Sequence, residues 1–212
     1  MDIYVFFVYA GHVIGFLIAL LYLFNFNKLL FELRIFTTFL FLLASINLLG
    51  HIFVFYKIHN VFLWHYFNYV EWFFMSWFFL RFYDSKFKKY VQIFSTIVLI
   101  CMLYGSIFIN QSNEFNVIGY FALKLMVIIL GIVEIYKNQL VSKAHYYYLN
   151  IGSVLISIVS VCYFTFWNLR LTDIFTKEAH VILNTVNAAA YAIGLLFYFV
   201  EFYKSKLWKV SH

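Results

Sequence analysis

Charged residues are so clustered in this chain that they leave seven long apolar stretches between them, at 3–25, 34–56, 61–82, 90–109, 116–136, 147–168 and 180–202. A helix rises about 1.5 Å per residue, so roughly 20 apolar residues cross the ~30 Å hydrocarbon core of a bilayer. Each stretch is close to that length. Only 11% of the chain is charged and 65% is hydrophobic, whereas soluble domains carry about 25% charged residues. The expected fold is therefore all-α: a polytopic membrane protein forming one seven-transmembrane-helix bundle over 1–212. The connections are short, which predicts antiparallel neighbours and leaves no second domain. No segment outside the membrane is long enough to fold alone, so any activity belongs to the helices or to a partner.

The distribution of basic residues orients the bundle. One set of connections and the tail carry Lys28, Arg34, Arg81, Lys86, Lys88, Lys89, Lys137, Lys143, Lys204, Lys206 and Lys209. The other side has Lys57, Arg170 and Lys177, while Lys124 falls inside a stretch. Cytoplasmic loops concentrate Lys and Arg, so the N-terminus is expected outside and the C-terminus in the cytoplasm. The first residues lack a positive n-region and include Asp2, which argues against a cleaved signal peptide. Lysine far outnumbers arginine and Phe, Tyr, Ile and Asn are abundant. That bias fits an AT-rich bacterial genome, and hence a multi-pass protein of a bacterial inner membrane. The basic rim suits anionic lipid headgroups. Lys86, Lys88 and Lys89 are too few to argue direct nucleic-acid binding.

Several classes are disfavoured. Proline is absent, although transporters with discontinuous helices commonly use Gly/Pro breaks; PQ-loop transporters are ruled out and a rocking transporter is disfavoured. Cys101 and Cys162 form no C-x-x-C pair and read as buried packing residues. Rhodopsins hold retinal on a lysine of the seventh helix, and the stretch VILNTVNAAAYAIGLLFYFVEF has none. Gly11, Gly15 and Ala19 place small residues on one face of the first helix, as Ser153, Ser157 and Ser160 do on the sixth and Ala190 and Gly194 on the seventh. Small residues allow backbones to approach closely, so these helices are expected to make the tightest contacts.

The polar residues within the stretches carry the functional signal, because ionisable groups inside a membrane are costly. Glu71 falls near the middle of the third helix and Lys124 within about a turn of the middle of the fifth. His12, Asn47, His51, His65, Asn68, Asn184 and Asn187 join them, almost all between the midplane and the outer surface. Glu134 and Glu201 lie near the cytoplasmic interface, where headgroups can satisfy them. These nine outer-half residues are the candidate ligand-binding set: Glu71, Lys124, His12, Asn47, His51, His65, Asn68, Asn184 and Asn187. Glu71 and Lys124, the only opposite charges so deep, are expected to form an ion pair. Three readings compete: hydrogen bonds that specify the bundle, a cavity for a small polar or amphipathic ligand, and a metal, haem or catalytic site on His12, His51, His65 and Glu71. An enzyme is disfavoured. There is no H-E-x-x-H, His59 belongs to a loop, and no serine stands in a nucleophile motif. Ceramidase- and hemolysin III-type hydrolases use His and Asp patterns not found here. The residues single out no particular cofactor. The favoured expectation is a membrane sensor or regulatory subunit acting through a cytoplasmic protein partner; the alternative is an intramembrane metal- or haem-dependent enzyme.

One stretch resembles a known group. HNVFLWHYFNYVEWFFMSWFFLRFY is similar to the third-helix region of small uncharacterised seven-helix proteins of Bacteroidetes, with Asn60, Tyr66 or Tyr69, and Glu71 matching their Asn, aromatic pair and mid-helix Glu. Proteins of that type resemble sensor modules lacking an output domain, which implies signalling. In size and topology alone the chain also resembles multi-pass accessory proteins encoded beside CRISPR effectors. That likeness implies a further alternative: an accessory membrane protein or pore that modulates such an effector.

Overall fold

The structure, a computed structural model, describes residues 3–83, 85–109, 115–140, 146–170 and 177–210; Asp2 and Lys143 lie outside them. These residues form seven α-helices and no strand: α1 (Ile3–Phe24), α2 (Phe31–Phe55), α3 (Val61–Phe82), α4 (Ser85–Tyr104), α5 (Val117–Leu140), α6 (Tyr147–Arg170) and α7 (Lys177–Val210). A short 3-10 turn, Phe26–Lys28, follows α1, and a π-helical turn, Gly105–Ile109, continues α4. Six of the helices are long and apolar enough to cross a membrane, the pattern of a multi-pass membrane protein. The seventh, α3, is 22 residues long. Its Trp and Tyr residues, with His65, Asn68, Glu71 and Arg81, leave it without the membrane-length apolar run that each of the other six contains.

Several helix ends differ from the expected segments, mostly because charge was taken as a boundary. α2 begins at Phe31 rather than at 34. Glu32 in its first turn complements the positive end of the helix dipole. Arg34 folds back instead of ending the helix: its Nε and Nη2 donate to the carbonyls of Leu29 and Asn27 at 3.0 and 2.9 Å. α4 begins at Ser85 rather than 90, so Lys86, Lys88 and Lys89 lie on the helix, and its α-helical part ends at Tyr104. α5 and α6 run on to Leu140 and Arg170. α7 spans 34 residues where 180–202 was expected, with Lys204, Lys206 and Lys209 on it rather than in a tail. Lys and Glu are good helix formers, and nothing in these sequences stops the helix.

The chain forms two compact units, one of Met1–Ile18 with Val127–His212 and the other Ala19–Met126. In the second, α3 packs between α2 and α4. Its core is aromatic. Phe36 meets the rings of Tyr22 and Phe78 at 6.0 and 6.1 Å between centroids, and Phe79, Leu33, Val91 and Met102 are fully buried in the same unit. Aromatic pairs at such separations add about 0.5–1.5 kcal/mol beyond their burial.

In the other unit, the pairing of α6 with α7 is the most extensive among the described helices. Glycine makes it possible: a Cβ at Gly152 would lie 2.6 Å from the carbonyl oxygen of Gly194 and 2.9 Å from the Tyr198 ring. Ser153, Ser157 and Ser160 are buried, and Ser153 Oγ lies 3.0 Å from Tyr198 Oη. Gly11 and Gly15 bring α1 against Tyr191 and Leu195 of α7. The small-residue faces thus meet as expected. Glu201 departs from the expected headgroup contact. It is buried, and its Oε2 accepts the N–H of Tyr148 at 3.0 Å in the first turn of α6. A carboxylate from α7 therefore satisfies an amide that α6 cannot pair internally. Glu134 is buried as well.

Candidate functional site

The buried face of α3 repeats at helical spacing: Asn68, Glu71, Met75, Ser76, Phe78 and Phe79. Three residues or four apart, such side chains share one side of the helix, so Glu71 is carried inward with Asn68. On α5 the same spacing aligns Tyr120 and Lys124, with Asn116 one turn earlier at the residue before the helix; all three are buried. The two faces meet at the charges. Lys124 Nζ donates to both carboxylate oxygens of Glu71, at 2.5 Å to Oε1 and 2.7 Å to Oε2. Glu71 is 5% and Lys124 4% exposed. The ion pair expected from depth alone is formed, and the Tyr120 ring flanks the ammonium at 5.2 Å from its centroid, a cation–π distance.

Polar contacts continue on both sides of the pair. Trp72 Nε1 donates to the Ser95 carbonyl at 2.9 Å, and the hydroxyls of Ser76 and Ser95 lie 2.6 Å apart. Toward the other end, Tyr69 Oη is 3.3 Å from Ser106 Oγ. Asn116 Nδ2 donates to Ser106 Oγ at 2.8 Å and to the Met102 carbonyl at 2.7 Å. Its Oδ1 accepts the Gly119 N–H at 2.9 Å. One carboxamide thus caps the start of α5 and ties it to the end of α4. Gly105, within the π-helical turn, leaves room for it: the nearest neighbour of a Cβ there would be Asn116 Oδ1. π-helical turns often mark functional positions in helices. One acceptor near the pair is orphaned. Asn68 is 2% exposed, and its Oδ1 has no hydrogen-bond partner.

The nine expected residues fall in both units. Asn47, His51, His65, Asn68, Glu71 and Lys124 belong to Ala19–Met126, and His12, Asn184 and Asn187 to the other. Asn68, Glu71 and Lys124 are buried. His12, Asn47, His65, Asn184 and Asn187 are half-buried, and His51 is exposed. His59 lies in the loop between α2 and α3. Among the described residues, no three of His, Cys, Asp and Glu come together as a metal site would require. Cys101 is half-buried and Cys162 exposed on its helix, so the expected burial of Cys162 is not found. Sequence reading passed over Asn116, Ser76 and Ser95. Asn116 carried a usable signal, since Asn before an apolar run is an N-cap pattern; two lone serines carried none.

No protein-family model matches the chain, and no curated protein or solved structure resembles it.

Proposed function

We propose that this chain is a seven-span membrane sensor or regulatory subunit, with its N-terminus outside and its C-terminus in the cytoplasm of a bacterial inner membrane. Its responsive centre is the polar core on α3 and α5, and a cytoplasmic protein receives the signal. The observation that carries this reading is the Glu71–Lys124 pair, buried and flanked by an orphaned Asn68 acceptor. Apolar residues of similar volume are often as stabilising as a buried ion pair, or more so. Stability alone therefore gives little reason for two charges here, while a centre that exchanges hydrogen bonds with a ligand gives one. α3 supplies the seventh span: its two most polar central residues, Asn68 and Glu71, are turned inward, so the interruption of its apolar run is no obstacle.

Two measurements test this. Reporter fusions after residues 89 and 115 should show cytoplasmic activity for the first only; cytoplasmic activity from the second overturns the topology. Purified protein screened by thermal shift against small polar and amphipathic molecules should yield a stabilising compound. That compound should fail to protect a Glu71→Gln/Lys124→Met double variant. Equal protection of the double variant would remove the pair from the responsive centre.

A further inference from the structure

We infer that Asn68, Glu71, Tyr120 and Lys124 enclose a site for bound water, fed along a polar path from the Asn116 end of α5 and closed at the other end. The inference deepens the sensor reading, on which it rests for the site's use, by naming the chemistry the site accepts.

Lys124 offers three N–H donors, and two of them go to Glu71. A carboxylate has about four acceptor positions and an amide oxygen two. After the ion pair forms, Glu71 still has acceptor positions that Lys124 does not use, and Asn68 Oδ1 is wholly unpartnered. Lys124 keeps a third N–H and Asn68 has an amide NH2, so donors and acceptors both remain around the pair. Its formal charges cancel, so a further ion gains nothing that the pair does not already supply. A neutral molecule that both donates and accepts hydrogen bonds fits both conditions. Water is the smallest, and buried waters typically make about three hydrogen bonds to such groups.

The path is one-sided. Asn116, Tyr120 and Lys124 follow one another at four-residue spacing along α5, and all are buried. Beside them runs the hydrogen-bonded sequence Asn116, Ser106, Tyr69, which ends next to Asn68 in the chain. Polar groups thus lead from the end of α5 to the ion pair. On the far side, Ser76 and Ser95 bond to each other and Ser76 to Met126 Sδ at 3.9 Å. Beyond them Phe78 and Phe79 are fully buried, which offers water no partner.

Pulsed hydroxyl-radical footprinting in ¹⁸O-labelled water, on the full chain in detergent, reads this directly, because radicals born from a bound water oxidise the side chain beside it. Tyr120 and Tyr22 are both buried in the same unit, but only Tyr120 adjoins the site. Tyr120 should take up label several-fold faster than Tyr22. In Asn68→Leu its rate should fall to that of Tyr22 and the melting temperature should drop; in Asn68→Ser, which keeps a hydroxyl, Tyr120 should stay labelled. Equal, slow labelling of both tyrosines in the wild type would overturn the inference. So would a higher melting temperature for Asn68→Leu, the result expected if a dry orphan acceptor were being relieved. Rapid Tyr120 labelling with no protective compound in the screen would remove the sensor reading and keep the water site; slow labelling with protection would do the reverse.

Discussion

Separating Glu71 from Lys124 should be far more damaging than removing both. The two groups are joined by two hydrogen bonds from one ammonium, and both are nearly inaccessible to solvent. Removing one partner of such a buried pair typically costs about 3–5 kcal/mol, because the other charge is left uncompensated. Insertion scales give a similar figure, about 2.5–3.5 kcal/mol, for one charge at the centre of a membrane helix. Glu71→Gln keeps an acceptor for Lys124, so its loss belongs at the lower end, ~3 kcal/mol. Lys124→Met leaves a carboxylate with no donor from α5, and its loss belongs at the upper end. The double variant buries no charge and should return to within about 1–2 kcal/mol of wild type, as apolar replacements of buried pairs often do. The coupling energy should then exceed ~2 kcal/mol, well above the ~0.5 kcal/mol within which independent sites add. For a chain of this size 1 kcal/mol is worth roughly 2–4 °C. Each single variant should therefore melt on the order of 10 °C early, with the double variant recovering most of it. Melting followed by size-exclusion chromatography in detergent checks this. Additive losses in the double variant would refute the pair as an energetic unit.

Three further outcomes follow from the packing. Gly152→Ala, whose Cβ would press on the Gly194 carbonyl at 2.6 Å, should cost about 1–3 kcal/mol by overpacking; Gly50→Ala, with nothing nearer than 3.9 Å, should be neutral or stabilising by up to ~1 kcal/mol. Asn116→Ala removes the cap on Gly119 and the bond to Met102 and should cost about 1–2 kcal/mol, while Asn116→Asp, which keeps the acceptor, should retain part of it. Glu201→Ala orphans the Tyr148 amide and should cost about 1–3 kcal/mol, with Glu201→Gln milder. Hydrogen exchange localised to the first turn of α6 would confirm the cause.

The features legible in the sequence were those set by burial in lipid. Charge is so costly there that two opposite charges at similar depth had to meet, and Glu71 and Lys124 do. Small residues at helical spacing had to face a neighbour, and Gly11, Gly15 and Gly194 do. What escaped was set by local or tertiary hydrogen bonding. A lysine or glutamate at a stretch's edge looks like a boundary, yet it continues a helix as readily as leucine, so α4 and α7 began early and α7 ended late. Glu201 looked like an interfacial residue because nothing in its own segment shows that the start of α6 lies beside it. The π-helical turn after Tyr104 has only Gly105 to announce it, and a single glycine is compatible with many local geometries.

The uninterrupted course of α7 has a mechanical consequence. Its 34 residues, at ~1.5 Å each, make a shaft about 51 Å long, against a hydrocarbon layer of ~30 Å. The excess must project past the layer or be absorbed by tilt, and no break divides the projecting part from the rest. Torque or lateral force applied near Val210 is therefore delivered undamped to Glu201, two and a half turns back. There the carboxylate is fastened to the Tyr148 amide in the first turn of α6. An axial turn by one residue's step, ~100°, would sweep that carboxylate off the amide, whereas a lean shared by both helices would not. α7 is keyed to its neighbour like a shaft in a slot, free to lean with it and barred from spinning against it.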